Sequence, residues 1–184
     1  KPLCVSPEEV ERIGVAVAAS DAFLMVAENY YYKPSLALIK EWAAAIGPIR
    51  KVYAQKLFTQ ASQGWKSGYG ALLEGGVHFV ALVADLFDCV PDAVEAEFPG
   101  HVPGQPERHA VLQLNFGAAV AELRYAWDQP SLSKGLLQYS YLEGEAGRII
   151  FESNGLYVRC GGRWRLPWRD LMGYGAMTDD LLSC

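Results

Sequence analysis

The sequence has no apolar run approaching the roughly 20 residues that a membrane-spanning helix needs. Charges or glycines cut its longest ones, and the opening Lys1-Pro2-Leu3 lacks the apolar core of a signal peptide. Cysteine is sparse: Cys4, Cys89, Cys160 and Cys184 stand far apart with no CxxC pair. That excludes a zinc knuckle or a small disulfide framework and fits a reducing compartment. Positive charge is also short, with 16 Lys+Arg against 21 Asp+Glu and a formal net charge of −5, so no broad basic surface exists for nucleic-acid phosphates. No internal repeat or low-complexity tract occurs. No Gly-x-Gly-x-x-Gly follows a strand pattern, so the dinucleotide fingerprint is missing from these residues. The absences leave a soluble, cytoplasmic protein working on small molecules, with no nucleic-acid, membrane or metal site expected.

About half of the 184 residues are apolar, enough for one main core. Ser6-Pro7-Glu8-Glu9 opens a helix: Ser6 caps, Pro7 suits the first helical position and Glu9 completes a capping box, with apolar residues at helical spacing to about Ala19. Phe23 to Ala27 is short and wholly apolar, which suits a strand buried on both faces of a parallel sheet. One such helix-strand unit cannot form a doubly wound sheet, so residues 1–28 are expected to be the tail of a domain lying mostly outside this chain. The lack of an initiator methionine and a final segment that stops within a helical pattern lead to the same expectation.

A second helix is predicted from Ser35 to Ile46 and closed by Gly47, then a long strand from Ile49 to Thr59, then a third helix from Ala71 to Phe87. From Asp92 the pattern changes to short alternating strands joined by hairpin signals such as Asn154-Gly155. A last helix is expected near Arg169. Residues 29–184 therefore read as an α+β domain: an open, mostly antiparallel sheet with helices packed on one face.

The third predicted helix holds Glu74-Gly75-Gly76-Val77-His78. Glu74 and His78 are four apart and so share a helix face, where the carboxylate would orient the ring. An imidazole exchanges protons near neutral pH, as the removal of a hydroxyl proton during alcohol dehydrogenation requires. Each glycine inside a helix costs about 1 kcal/mol relative to alanine. The pair Gly75 and Gly76 therefore signals close approach of the backbone to something, either a substrate or nicotinamide ring or the sheet. An exposed Glu/His pair with glycines for packing is the blander outcome that these residues alone favour. Tyr30, Tyr31 and Tyr32 with Lys33 suit either a polyol site or aromatic packing between domains. Trp65 and Lys66 lie in a glycine-rich loop that either covers substrate or is ordinary surface. Arg163, Trp164, Arg165 and Trp168 suggest cation-π packing on an edge strand.

Taken in order, Lys1-Pro2, the capped helix, the strand ending Ala27-Glu28-Asn29, Tyr30 to Pro34, Trp65-Lys66 to Gly70, Leu72 to His78, Gly144 to Gly147 and Gly173-Tyr174 resemble the glucose-fructose oxidoreductase and inositol dehydrogenase (Gfo/Idh/MocA) family. The resemblance implies a two-domain enzyme with an amino-terminal Rossmann domain for NAD or NADP. Its carboxy-terminal α+β domain would bind a sugar, polyol or cyclitol and form a homo-oligomer through the open sheet. It implies that Lys1, in a Glu-Lys-Pro motif, polarises the reacting hydroxyl and touches the cofactor, and that His78 is the acid/base. Glu74 stands where the family has aspartate, Ala81 where a second acid is common, and Tyr31 where arginine is frequent. Alone, the 184 residues are expected to be inactive. A rival expectation is a non-catalytic oligomerisation or interaction module derived from the same family.

Overall fold

The computed structural model describes residues 2–61 and 68–183. Helix α1 spans Pro7–Ala18. Ser6 Oγ accepts the Glu9 amide at 3.3 Å, and the Glu9 carboxylate reaches back to the Val5 amide at 2.9 Å, so both halves of the start signal are used. No residue of α1 is buried. The apolar segment Phe23–Ala27, expected to be a strand, is not one: it is irregular backbone with Phe23, Leu24 and Val26 exposed. A strand needs a neighbour to bond with, and none of the described strands, the first of which begins at residue 49, pairs with it.

A 3-10 turn, Asn29–Tyr32, leads into α2, Pro34–Ala43. Gly47 follows in the left-handed conformation, with φ of 71°. The sheet then comprises β1 (Ile49–Leu57), β2 (Ala93–Glu97), β3 (His109–Phe116), β4 (Ala119–Ala126), β5 (Tyr139–Gly144), β6 (Gly147–Glu152), β7 (Val158–Cys160) and β8 (Arg163–Arg165). Its order is β2-β3-β4-β1-β5-β6-β7-β8, and among the described strands only β1 and β4 pair in parallel. This is the expected α+β architecture with an open, mostly antiparallel sheet.

Helix α3, Val77–Phe87, covers the sheet with α2. Alternation along the strands sends Val52 and Ala54 of β1, Leu112 and Leu114 of β3, and Ala121 and Leu123 of β4 inward against Phe79, Leu82 and Val83 of α3. The α3 region does not start as a regular helix. Leu72–Gly76 is a π turn in which the Val77 amide bonds the Leu72 carbonyl five residues back. Helix α4, Tyr174–Ser183, begins five residues later than the expected Arg169. Asp170 takes the start instead, its carboxylate accepting the Gly175 and Ala176 amides at 3.0 and 2.9 Å. The basic-aromatic run forms the edge strand β8: the Arg159 guanidinium lies 5.2 Å from the Trp164 ring and that of Arg163 lies 4.7 Å from Trp42. Among the described residues, no helix is long and apolar enough to cross a membrane.

Candidate active site

The parallel pair β1 and β4 ends beside the first turns of the α3 region, and a cleft of about 460 Å³ opens there. His78 lies in its wall, buried. Its Nδ1 sits 2.6 and 2.8 Å from the two carboxylate oxygens of Glu28. Glu28 is itself 5% exposed and accepts the Tyr30 amide at 3.0 Å, so the 3-10 turn fixes the carboxylate before it meets the ring. The Tyr30 ring stacks on the imidazole with centroids 4.3 Å apart and planes within 7°. A proton on Nδ1 facing the carboxylate leaves Nε2 as the basic nitrogen.

The expectation that Glu74 braces His78 is thus corrected: the carboxylate on Nδ1 is Glu28, fifty residues away in the chain. The reason is local. Spacing of four puts side chains together on an α-helix, but residues 72–76 form a π turn, which alters the angular offset between positions 74 and 78. Glu74 is still buried, and it lines both the His78 cleft and a larger neighbouring one of about 770 Å³. The larger cleft is bounded by Pro2 to Val5, by Glu9 and Arg12 of α1, and by Tyr69.

Gly75 and Gly76 were expected to bring the backbone close either to a substrate or nicotinamide ring or to the sheet. A Cβ on Gly75 would fall 2.0 Å from the Tyr125 hydroxyl, and one on Gly76 would fall 2.9 Å from Leu72 Cδ1. The space beside them is filled by the sheet, which is the packing alternative. Of the three tyrosines, only Tyr30 lines the cleft. Tyr31 is 46% exposed, near the Lys40–Asp85 ion pair, and Tyr32 donates a hydrogen bond to Asp180 of α4 at 2.5 Å. A four-residue 3-10 turn advances about a third of a turn per residue, so consecutive tyrosines cannot face one cleft. Lys1, Trp65 and Lys66 lie outside the described residues.

Lys33, 3% exposed, reaches under Tyr30 with its ammonium 4.0 Å from the ring centroid and 2.6 Å from the Asn154 carbonyl. Burial, aided by the charge of Lys56, holds its pKa down to about 8. Burial keeps the Tyr30 and Tyr125 hydroxyls far above the ordinary phenol range, so both stay protonated at neutral pH. Sequence reasoning missed Glu28, Lys56, Lys134 and Asn154. Glu28 and Asn154 reach the site only through folding: their local sequence marks a strand end and a hairpin turn, not a place beside His78 or Lys33. Lys56 was legible in part, since the alternation of β1 assigns it to the same face as Ala54.

Neither family models nor curated proteins match the chain. Solved structures do. An oxidoreductase from Thermotoga maritima superposes with a TM-score of 0.80 at 16% identity, over 98% of this chain and 57% of its own. An oxidoreductase from Agrobacterium radiobacter, in complex with NAD+, L-tartaric acid and magnesium, gives 0.76 at 16% identity, over 100% and 62%. The aldose-aldose oxidoreductase from Caulobacter crescentus, complexed with glycerol, gives 0.76 at 18% identity, over 96% and 58%. This chain therefore spans little more than half the length of these proteins, and at such identities what it shares with them is the fold.

Proposed function

We propose that these residues form the substrate side of an NAD(P)-dependent oxidoreductase of the Gfo/Idh/MocA type, acting on a hydroxyl-bearing carbon of a sugar, polyol or cyclitol. The observation that carries the reading is the stack of Lys33, Tyr30 and His78 in the wall of one cleft, with Glu28 behind them on the imidazole. In this reading His78 takes the hydroxyl proton on Nε2. Glu28 keeps the ring oriented and offsets the positive charge that develops on it. Tyr30 holds the ring plane. Tyr30 and Tyr125, kept protonated, donate hydrogen bonds to hydroxyl oxygens but do not act as bases. Asn29, Asn154 and Gln60 supply further polar groups to a polyol in the cleft.

The nicotinamide cofactor accepts or gives the hydride when bound. The residues present fit part of it: the larger cleft abuts the His78 cleft at Glu74, and Pro2 to Val5, Arg12 and Tyr69 would line that end. Gly75 and Gly76 contribute no surface to it. With no phosphate-binding glycine turn in these 184 residues, its phosphates would be held elsewhere in a longer protein. Lys1 retains its proposed role at the reacting hydroxyl, and Trp65 and Lys66 theirs near substrate. A second copy joined through the open sheet face is part of the same proposal.

The test is a panel of polyols offered with NAD+ and NADP+ to the complete protein and to its His78→Ala variant. Turnover lowered by at least about 10²-fold with unchanged folding supports the base assignment, and near-equal rates would discard it.

A further inference from the structure

The charges on the cleft wall point to a more specific substrate than a neutral sugar. Among the described residues three lysines, Lys33, Lys56 and Lys134, line it against one lining carboxylate, Glu74, while Glu28 and Glu152 also act on Lys33 from behind the wall. The chain as a whole carries −5, so the sign of the cleft opposes that of the molecule. Lys33 and Lys134 enter no ion pair among the described residues. Like charges gathered in one concavity repel; the depressed pKa of Lys33 is set chiefly by its burial, with Lys56 adding to it.

The placement of the two outer lysines is built into the backbone. Lys56 lies opposite Tyr125 in the parallel register of β1 and β4, which puts it on the inner face at the end of the strand where the cleft begins. Lys134 is carried by a run of three residues in the left-handed region, Ser133, Lys134 and Gly135, with φ of 51°, 53° and 81°. Two of these bear a Cβ, and such conformations persist only where the surroundings impose them. Here Ser131 Oγ accepts the Gly135 amide at 2.9 Å and the Asn154 side chain donates to the Gly135 carbonyl at 3.1 Å. A Cβ on Gly135 would stand 3.5 Å from Lys56 Cγ and 3.4 Å from the Leu57 carbonyl. The strained loop is therefore seated on β1 at Lys56. Asn154 links the whole group, since its carbonyl holds Lys33 and its side chain holds the Lys134 loop.

We propose that Lys33, Lys56 and Lys134 together receive an anionic group, a carboxylate or a phosphate, on the polyol that enters the His78 cleft, so that the substrate is a sugar acid or sugar phosphate. The polyol half of this inference rests on the function proposed above, and the anion half does not. Binding to the protein is measured by calorimetry for glucose, glucuronate and glucose 6-phosphate, beside NAD(P)-linked turnover of the same three compounds. Anionic probes bind more tightly than glucose by on the order of tenfold or more, as one added charge-assisted contact provides. The preference falls with salt.

Lys134→Ala, an exposed position, abolishes most of the preference, and so does Lys56→Gln. Lys40→Ala, a lysine paired with Asp85 and absent from the cleft wall, leaves it intact. Whether glucuronate or glucose 6-phosphate gains more decides between carboxylate and phosphate. Equal binding of neutral and anionic probes, or a preference indifferent to both cleft lysines, overturns the proposal. Lysine-dependent binding of the anions with no hydride transfer to either cofactor would leave the anion site standing and sink the oxidoreductase reading. Turnover of glucose without anion preference would do the reverse.

Discussion

Glu28 and Glu74 are both buried near His78, and the geometry assigns them different weights. Glu28 accepts from Nδ1, so Glu28→Gln removes the acceptor that selects the ring tautomer. The expected outcome is a fall in kcat on the order of 10²-fold with little change in KM, and altered ring ¹⁵N shifts of His78. Glu74→Gln leaves the Nδ1 partner in place, so those shifts should stay put. If the two variants reversed these effects, the Glu28 assignment would be wrong. Lys33 offers a test by stability. Its pKa is held near 8 in the folded chain against 10.5 ordinarily, so between those values the unfolded chain binds the extra proton and stability rises with pH. The rise is on the order of 3 kcal/mol. Relative to Lys33→Met, which has no such group, the native chain should therefore gain stability between pH 8 and pH 10.5. Urea midpoints for both proteins at the two ends of that window measure it, and a constant difference would mean that the ammonium is not desolvated.

At the scale of elements, the π turn and the helix-sheet contact beneath it are the feature most exposed to test. A methyl at Gly75 meets the aromatic ring of Tyr125, which is locked in β4, whereas one at Gly76 meets first the flexible end of Leu72. Gly75→Ala should thus destabilise by about 1 to 3 kcal/mol, the usual cost of overpacking, and Gly76→Ala by less, as urea unfolding would show. Were Gly75 kept for a cofactor instead, its alanine variant would unfold normally and lose only cofactor affinity. The same turn explains what the sequence hid. Helices α1, α2 and α3 and most strands were legible because caps, alternation and turn residues act over a few positions, as Ser6 and Asn154-Gly155 do. The brace of His78 was not, since a π turn leaves no local signature and the partner lies fifty residues upstream. The tyrosine run misled because its composition is uniform while its side chains fan out around a tight turn.

At the scale of the molecule, two surfaces bear on what this chain joins. On the outer sheet face Tyr53 stacks on Tyr141 at 5.3 Å, and the Arg148 guanidinium lies 4.6 Å from the Tyr141 ring. If two copies meet there, light scattering should report a dimer that Tyr141→Asp converts to monomer. The second surface is Phe23–Ala27. Its sequence is that of a strand, yet here it is unpaired, with Phe23 at 59% and Leu24 and Val26 at 43% exposure. Strand propensity is realised only with a neighbour to complete the hydrogen bonds, and a nucleotide-binding domain would bring one. Amides 23–27 should therefore exchange with solvent within seconds in the 184-residue chain. In a longer protein carrying that domain they should be protected to the level of the sheet core. Equal, fast exchange in both would show that the segment is a linker, and would remove the argument that residues 1–28 belong to a neighbouring domain.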